Sequence, residues 1–255
     1  YALLEDDGYV YLGLDNRFGR FSIKNREYEV IDTVGIGGDF MLSALYKDDV
    51  RNCIWIGQGG SLLQYATDSG TMKSIDEIDI VKSITLDENN NVIMGTDNGL
   101  CVYNENNTQY IIHDSRESNS LANNVVWAVY TDRSGNIWLG TNNGISLVPQ
   151  SRRLRQIPIH TITNTGEGNQ FYTIFQDSYN NYWLGGTNGL IRSQKLTAHD
   201  QTMRWYKMGG SAFNISHNRI RAIFEDSDRI LWIATDYGIN RYDYEKQEFI
   251  WHCVF

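Results

Sequence analysis

The feature that most constrains this 255-residue chain is a short pattern that recurs along its whole length: an apolar strand, an acidic turn, an aromatic strand and a glycine. The segment DRSGNIWLGTNNGI, Asp132 to Ile145, shows the pattern most fully. Self-similarity at a fixed period is the signature of a fold built from repeated units. Six units align on the last residue of YLG, WIG, IMG, WLG, WLG and WIA, at intervals of 44, 38, 45, 45 and 49 residues: Gly13, Gly57, Gly95, Gly140, Gly185 and Ala234.

Each unit is long enough for four β-strands. Its apolar residues alternate with a period near two, and Gly-rich or Asn-rich turns interrupt them about every 10 residues, which favours strands over helices. A looser tail such as QEFIWHCVF, Gln247 to Phe255, supplies the fourth strand. Antiparallel four-stranded units of about 40–45 residues are the blades of a β-propeller. We therefore predict an all-β fold, with residues 1–255 forming one β-propeller domain or a fragment of one, and six repeats visible.

The repeated residues are predicted to be scaffold. A lone four-stranded blade is apolar on both faces, so the aromatic side chain of its second strand is expected to lie against a neighbouring blade. The aligned glycines are interpreted as turn residues, and Asp132 is expected to cap its own turn. The predicted aromatic wedges are Trp55, Trp138, Trp183 and Trp232, with Tyr11 and Ile93 in their place in the first and third units.

Charge and cysteine content disfavour several classes of protein. The formal net charge is −9 and no run of Lys or Arg occurs, so we expect no nucleic acid and no anionic membrane surface as a partner. We expect neither a signal peptide nor a membrane anchor, and a chain cut from something longer. Cys53, Cys101 and Cys253 have no CxxC spacing and are interpreted as buried small hydrophobes, with one disulfide still allowed. No metal and no cofactor is expected.

Three segments carry a resemblance to a known family: NNVVWAVYTDRSGNIWLGTNNGISLV (Asn123 to Val148), GNQFYTIFQDSYNNYWLGGTNGLIR (Gly168 to Arg192) and HNRIRAIFEDSDRILWIATDYGINRYD (His217 to Asp243). They resemble the two-component regulator propeller repeat, in which an apolar strand and an acidic turn precede W-[IL]-G-T and x-x-G-[LI]. All six units carry the pattern, although the first is degraded. The family's propellers usually have seven blades, whereas six are counted here.

The resemblance implies a parent protein that is a hybrid two-component sensor with a histidine kinase core. This chain would be a periplasmic domain of that inner-membrane protein. A homodimer would form through the parent, and any membrane contact would be made by parts of the parent outside this chain. The resemblance further implies sensing of products of glycan breakdown, with control of glycan-utilisation genes.

Positions that differ between the repeats mark a candidate binding site, because positions that stay alike share one structural role. In the first strand of units two to six, one apolar column and one small column are interpreted as packing: Leu42, Val81, Val126, Phe171 and Ile220, then Ala44, Ser83, Ala128, Thr173 and Ala222. The column between them varies in size and charge: Ser43, Lys82, Trp127, Tyr172 and Arg221. The first strand of a propeller blade is innermost and begins at the mouth of the central channel, so we predict that this mixed column faces that mouth.

A surface of aromatic rings, amides and guanidinium groups suits an oligosaccharide, whose CH faces stack on rings while its hydroxyl groups need donors and acceptors. Mutual repulsion among Lys82, Arg219 and Arg221 favours an acidic ligand with a uronate or sulfate group, and a neutral oligosaccharide is the alternative. The candidate ligand-binding residues are Lys82, Trp127, Tyr172, Arg219, Arg221, Gln170, Asn124, His217, Asp236 and Tyr237.

Other interpretations of these residues stay open. The cations could pair with Asp39, Asp79 or Asp236 across neighbouring blades, and the aromatic residues could simply fill the channel. We expect no enzymatic activity in this chain, because it has no recognisable catalytic motif. The alternatives are a propeller lyase or glycosidase using His217 with Asp39 or Asp236, and a platform for dimerisation or protein interaction.

Overall fold

The computed structural model describes residues 2–14, 17–33, 42–105, 107–150, 153–157, 170–197 and 202–254. Within these ranges the chain forms 24 β-strands and no helix. The strands pair in chain order into six four-stranded antiparallel sheets, which we call blades 1 to 6. Across the described residues, no helix has the length and apolar character needed to cross a membrane. The predicted all-β class and the six blades are confirmed.

The structure divides into two compact units, and the first is Tyr1–Ile111. It contains blade 1, formed by β1 (Ala2–Asp6), β2 (Tyr9–Leu14), β3 (Arg17–Ser22) and β4 (Glu27–Thr33). Blade 2 comprises β5 (Ala44–Asp48), β6 (Cys53–Gln58), β7 (Ser61–Ala66) and β8 (Met72–Asp76). Blade 3 comprises β9 (Val81–Leu86), β10 (Val92–Thr96), β11 (Gly99–Asn104) and β12 (Asn107–Ile111).

The second unit, Ile112–Phe255, contains blades 4 to 6. Blade 4 comprises β13 (Val126–Thr131), β14 (Ile137–Thr141), β15 (Gly144–Val148) and β16 (Arg155–Ile157). Blade 5 comprises β17 (Phe171–Gln176), β18 (Tyr182–Gly186), β19 (Gly189–Ser193) and β20 (Arg204–Tyr206). Blade 6 comprises β21 (Ile220–Glu225), β22 (Leu231–Thr235), β23 (Gly238–Asp243) and β24 (Glu248–Val254), the last being the strand predicted in the tail of the sixth repeat.

The core of each unit lies between consecutive blades, where the predicted aromatic wedges are found. Trp55 packs with residues of blade 3, Trp138 with residues of blade 5 and Trp183 with residues of blade 6, and all three are buried. Tyr11 takes the same role between blades 1 and 2. The packing role of the second-strand aromatic residue is therefore confirmed at these positions. Trp232, in the last blade of the second unit, is only half-buried.

A buried aspartate after the first strand holds both its turn and the wedge. Asp132 Oδ1 accepts the backbone N–H groups of Ser134 and Asn136, both at 2.9 Å, as the expected Asx turn requires. Its Oδ2 accepts the indole Nε1–H of Trp138 at 2.7 Å, a bond that the sequence analysis did not foresee. The same indole bond recurs in three other blades: Asp48 with Trp55 at 2.9 Å, Asp177 with Trp183 at 2.7 Å and Asp226 with Trp232 at 2.7 Å.

The same aspartates also join neighbouring blades of the second unit. The hydroxyl of Tyr182 in blade 5 donates to Asp132 Oδ2 of blade 4 at 2.9 Å. The hydroxyl of Tyr244 in blade 6 donates to Asp177 Oδ2 of blade 5 at 2.8 Å. Burial and the adjacent carboxylate both raise the pKa of each tyrosine well above its usual range, so the hydroxyl stays protonated as a donor.

The aligned glycines are not turn residues, which corrects the sequence interpretation. Gly57 and Gly185 lie inside β6 and β18 and face the first strand of the next blade. A Cβ added at Gly57 would lie 2.6 Å from Val81 Cγ1, and one at Gly185 would lie 2.5 Å from Ile220 Cγ2. A glycine is therefore needed there because the apolar column of the next blade packs directly on its backbone. Gly144 does serve a turn: it is the first residue of β15, directly after the turn from β14, and has a φ of 98°.

The two columns interpreted as packing are mostly buried. Leu42, Val81, Val126, Phe171 and Ile220 are all inaccessible or nearly so, which confirms the apolar column. The small column is buried or half-buried in blades 2 to 5, but Ala222 in blade 6 is exposed, contrary to its interpretation as a packing residue.

The described cysteines are buried small residues, as predicted. Cys53 and Cys101 are free thiols in the core between blades 2 and 3. Burial raises the pKa of Cys101 to about 11, so this thiol is protonated and inert near neutral pH. The side chain of Cys253 lies outside the described residues.

The inaccessible wedge at Trp183 gives a first prediction. Trp183→Ala should lower the free energy of unfolding by about 3–5 kcal/mol, because it removes a large ring and leaves a cavity between blades 5 and 6. Trp251→Ala is a matched control, since this ring is 42% exposed, and should cost about 1 kcal/mol or less. Urea unfolding followed by tryptophan fluorescence and circular dichroism measures both. Equal losses in the two variants would contradict the wedge role.

The carboxylate of Asp132 gives a second prediction. Asp132→Asn should lower the free energy of unfolding by about 2–4 kcal/mol, because an amide NH₂ would face the donors of Trp138 and Tyr182. Burial opposes ionisation of Asp132, but the hydrogen bonds from Trp138, Asn136 and Tyr182 outweigh it and hold its pKa below the usual range.

The lowered pKa of Asp132 also determines how the stability of the fold depends on pH. The stabilisation by the Asp132 carboxylate is complete above the unfolded-state pKa of about 3.9 and is lost as the pH falls through the lower folded-state pKa. The wild type should therefore lose more stability than Asp132→Asn when the pH falls from 6 toward 3, approximate limits set by that pKa. Parallel stability profiles of the two proteins would contradict this role.

Candidate functional site

Four of the five residues of the mixed column lie at β-bulges; the exception is Ser43, which precedes β5 and donates its hydroxyl to the backbone carbonyls of Gly57 and Val81. In blade 4, Val126 is opposite Thr141 and Ala128 is opposite Gly140, so Trp127 is an extra residue between two consecutive cross-strand pairs. The same register shift lies at Lys82, Tyr172 and Arg221. A bulge bends the strand and redirects the side chain of the extra residue away from the regular pleat. The position that varies most between the repeats is therefore the position whose side chain the bulge turns away from the packed face of the strand.

Three of these bulge residues, with their hydrogen-bond partners, form a continuous surface in the second unit that we call the bulge strip: Trp127, Asn142, Gln170, Tyr172, Arg221 and Asp236. The first strands β13, β17 and β21 lie side by side, which brings the bulges of blades 4, 5 and 6 together. The rings of Trp127 and Tyr172 meet edge to face, with centroids 5.2 Å apart. The guanidinium carbon of Arg221 lies over the Tyr172 ring, 5.9 Å from its centroid.

Hydrogen bonds orient the two rings of the bulge strip. Trp127 Nε1–H donates to Asn142 Oδ1 at 2.6 Å, and the Tyr172 hydroxyl donates to Gln170 Oε1 at 2.6 Å. Both rings remain half-buried. The polar edges are thus partly satisfied within the protein, while part of each ring surface stays open to solvent.

The basic residues of the candidate site are already paired with carboxylates. Arg221 donates to Asp236, and Arg219 Nη1 lies 3.6 Å from the same carboxylate. In the first unit, Lys82 Nζ lies 2.9 Å from Asp97 Oδ1. These pairs form within one blade and not across neighbouring blades, and they relieve the repulsion on which the expectation of an acidic ligand was based. The repulsion between Arg219 and Arg221 is only partly relieved, because the two arginines share the single carboxylate of Asp236.

The neighbouring cations lower the pKa of the shared carboxylate, Asp236. The hydrogen bond from Arg221, then the charges of Arg221, Arg219 and His217, lower the pKa of Asp236 below its usual range in spite of some desolvation. An aspartate held ionised in this way is a poor general acid. The Nδ1 of His217 accepts the backbone N–H of Arg219 at 3.1 Å. His217 and Asp236, which were considered together as residues of an enzyme, are thus both engaged in structural contacts. Asp39 lies outside the described residues.

Two further predicted ligand residues have mainly local contacts. Asn124 Oδ1 accepts the backbone N–H of His113 at 2.6 Å, which ties two loop segments together. Tyr237 is exposed, and its backbone N–H donates to Thr235 Oγ1 at 3.2 Å in the turn after β22. These two contacts do not involve the rings of the bulge strip, although Tyr237 adjoins Asp236 in sequence.

The adjacent acidic residues Glu225 and Asp226 serve the scaffold. Glu225 accepts the backbone N–H of Ser178 at 2.8 Å and its hydroxyl at 2.9 Å, which joins blade 6 to blade 5. Asp226 accepts the indole N–H of Trp232. In the part of the chain that the structure describes, no group of three His, Cys, Asp or Glu residues could hold a metal ion.

Sequence reasoning missed a lysine beside the bulge strip. Lys207 Nζ donates to the backbone carbonyl of Asn188, lies 3.1 Å from Asn188 Oδ1, and sits 4.4 Å from the centroid of Trp205. Desolvation lowers the pKa of Lys207. Trp205 borders a cavity of about 10 Å³ together with Gln170 and Asn188, and its buried Nε1–H has no partner among the described residues. A cavity of this size suits one water molecule. The segment lies in the variable fourth strand, so a comparison of the repeats could not single it out.

Comparison with known proteins agrees with the architecture. The two component regulator propeller family matches residues 120–143, 165–188 and 214–237. The chain has no match among curated proteins.

Solved structures of extracellular domains resemble this chain along nearly all of its length. It is 42% identical to the extracellular domain of a protein described as a hybrid two component system, BT4673 from B. thetaiotaomicron, with a TM-score of 0.55. That match covers 99% of this chain but 35% of the relative, so this chain spans about a third of the relative's length. A second extracellular domain described in the same terms, BT3049 from B. thetaiotaomicron, is 18% identical, with a TM-score of 0.56 over 92% of this chain and 38% of that one.

A propeller enzyme shares the fold alone. Virginiamycin B lyase from Staphylococcus aureus aligns with a TM-score of 0.75 over 99% of this chain and 83% of the lyase, at 13% identity. That level of identity carries no information about activity. The chain thus carries three repeats of the two-component regulator propeller family, in blades 4 to 6 of a fold with six four-stranded blades.

Proposed function

We propose that this chain is a ligand-sensing propeller, or part of one, in the extracytoplasmic region of a membrane-bound hybrid two-component sensor kinase. Its signal would be an oligosaccharide released by glycan breakdown, and its output the control of genes for glycan use. The family match and the 42% identity to an extracellular domain support the extracytoplasmic assignment. The periplasmic location, the kinase core, the membrane helix and dimer formation belong to this proposal as properties of the parent.

The bulge strip is the observation that carries the proposal. The ring centroids of Trp127 and Tyr172 lie 5.2 Å apart, and the guanidinium carbon of Arg221 lies 5.9 Å from the Tyr172 centroid. All three residues lie at bulges that turn their side chains away from the regular pleat. Sugars are recognised by ring stacking combined with polar groups that orient the hydroxyls. The amides of Asn142 and Gln170, already bonded to the two aromatic residues, supply such groups at the rim.

The charge of the strip supports an acidic oligosaccharide as the first choice. Arg219 and Arg221 share the carboxylate of Asp236, so the three side chains together carry one net positive charge. The Arg221 side chain is 55% exposed, so it can reach a carboxylate or sulfate with two parallel hydrogen bonds. A neutral oligosaccharide is the alternative, and it would depend on the rings more than on the arginine.

Signal transmission would follow from differential binding. Trp127 lies in blade 4, Tyr172 in blade 5 and Arg221 in blade 6, so one ligand along the strip would contact three blades. A ligand shifts a conformational equilibrium only by the difference between its affinities for the two states. Contacts that depend on the spacing of three blades would provide such a difference.

The proposal predicts the effect of paired substitutions. The double variant Trp127→Ala/Arg221→Ala should bind its best glycan fragment at least about tenfold more weakly than the wild type, about 1.4 kcal/mol, because it loses one stacking ring and one charged donor. Isothermal titration against acidic and neutral fragments measures the change. Arg221→Ala alone should weaken binding of the acidic fragments more than binding of the neutral ones.

A matched control separates the site from general effects on the fold. The double variant Trp251→Ala/Arg241→Ala removes the same residue types from β24 and β23 of blade 6, away from the bulges of the first strands. It should retain wild-type affinity within about twofold. Retention of affinity within about fivefold, roughly 1 kcal/mol, by a folded Trp127→Ala/Arg221→Ala protein would overturn the assignment of the site.

A further inference from the structure

The bulge strip continues across blade 5 through a second group of side chains, which we call the outer arm: Gln170, Asn188, Trp205 and Lys207. Gln170 belongs to both surfaces, since its Oε1 accepts the hydroxyl of Tyr172 at 2.6 Å. The turn after β18 lies beside it, because the backbone N–H of Thr187 donates to the Gln170 carbonyl at 3.1 Å. Gln170, Asn188 and Trp205 line one common cavity of about 10 Å³. These contacts lead from the bulge of blade 5 to its fourth strand.

Cross-strand register brings Lys207 to the same end of the blade. Leu190 in β19 pairs with Tyr206 in β20. Lys207 is the next residue along the chain, so it lies beside the turn from β18 to β19, which contains Asn188. All four side chains of the outer arm are half-buried. The arm is therefore a partly open surface next to the strip and not a part of the core.

Neutral groups hold the ammonium group of Lys207 in place. Its Nζ donates to the backbone carbonyl of Asn188, lies 3.1 Å from Asn188 Oδ1, and sits 4.4 Å from the centroid of the Trp205 ring. A neutral oxygen or an aromatic face orients an ammonium group but does not cancel its charge. The outer arm thus presents a positive charge in a fixed position, in a chain whose net charge is −9.

The charge of Lys207 does not serve the stability of the fold. Desolvation lowers the pKa of Lys207, so the charged form is disfavoured in the folded chain relative to the unfolded one. Ordering a long side chain costs rotamer entropy as well. A neutral amide could donate the same hydrogen bonds without a charge. An acidic group placed beside Lys207 would offset the desolvation, because a nearby opposite charge favours the ammonium form.

We propose that the outer arm is a subsite of the ligand site at the bulge strip, and that it takes a sugar unit carrying a carboxylate or sulfate group. The ammonium group of Lys207 binds the acidic group, and the amide of Gln170 orients a hydroxyl group. Because Arg221 offers a positive charge at the strip itself, a ligand that spans both surfaces is an oligosaccharide of at least two units with more than one acidic group. This inference rests on the proposed function, since the subsite extends the site proposed there.

Nuclear magnetic resonance of the tryptophan indole N–H groups tests the two surfaces separately. Trp205 reports on the outer arm, Trp127 reports on the bulge strip, and Trp251 in β24 is the control. The 255-residue chain is titrated separately with sodium glucuronate, sodium sulfate and the neutral methyl glucoside, at an ionic strength held constant with sodium chloride. The Trp205 signal should shift and saturate with at least one acidic probe, at a concentration at least about fivefold lower than with the glucoside. The Trp251 signal should not shift.

The two reporters distinguish failure of the subsite from failure of the proposed function. A saturating response at Trp127 with a fixed Trp205 signal would overturn the subsite and leave the proposed function standing. A saturating response at Trp205 with a fixed Trp127 signal would support an acidic subsite and count against the bulge strip. Linear shifts without saturation at Trp205, or equal shifts at Trp251, would also overturn the subsite.

Substitutions of Lys207 complete the test. Lys207→Met removes the charge but keeps an unbranched side chain on the Trp205 ring, and it should weaken binding of the acidic probe about tenfold or more. Lys207→Arg restores the charge and should bind within about threefold of the wild type. Lys246→Met is a matched control that removes an exposed lysine from the turn between β23 and β24, and it should bind within about twofold of the wild type. A Lys207→Met protein that is folded by circular dichroism and binds as tightly as Lys246→Met would overturn the proposal.

Discussion

The hydrogen bond from a tryptophan indole to the aspartate after the first strand is the interaction on which blades 2, 4, 5 and 6 depend. An ionised carboxylate taken out of water is costly unless donors replace its hydration. Asp132 meets this requirement with backbone N–H groups of its own turn, the indole of Trp138 and the hydroxyl of Tyr182. One side chain thereby closes a turn, orients the aromatic wedge and binds the next blade.

The glycine of the WLG motif and the bulge at the start of the first strand follow from the same packing. The next blade approaches so closely that its apolar column touches the glycine backbone, as Ile220 touches Gly185. The register then shifts by one residue beside that contact, between Ile220 and Ala222, and Arg221 is directed out of the interface. Close packing of the blades and the outward direction of the mixed column are therefore two consequences of one arrangement at the start of the first strand in blades 3 to 6.

Much of the architecture could be predicted from the sequence, because the period of two and the turn residues are local signals. The six blades and the burial of Trp55, Trp138 and Trp183 follow from that pattern. The bulges could not be predicted in this way, since a bulge is a property of register between two strands.

The aligned glycines were assigned to turns for a related reason: their packing partners lie about 30 residues away, in the next repeat, and no local pattern reveals them. Pairing of the arginines with Asp236 was one of the alternatives, but its place within a single blade and the role of Lys207 escaped prediction. Each depends on a turn or a fourth strand that differs from blade to blade, so neither belongs to the repeated pattern from which the fold was inferred.

The two ends of blade 5 show why one scaffold can carry unlike surfaces. Between the ends, Trp183, Leu184 and Ile191 are buried among neighbouring blades, so substitution there changes stability before it changes recognition. At one end, Tyr172 is the extra residue of a bulge. At the other end, Arg192 packs against a ring of blade 6, and both side chains keep part of their surface open to solvent. Side chains at such positions contribute little to the core, so they are free to differ from blade to blade. On the function proposed above, recognition would thus belong to the ends of the strands, while the buried strand interiors hold the blade together.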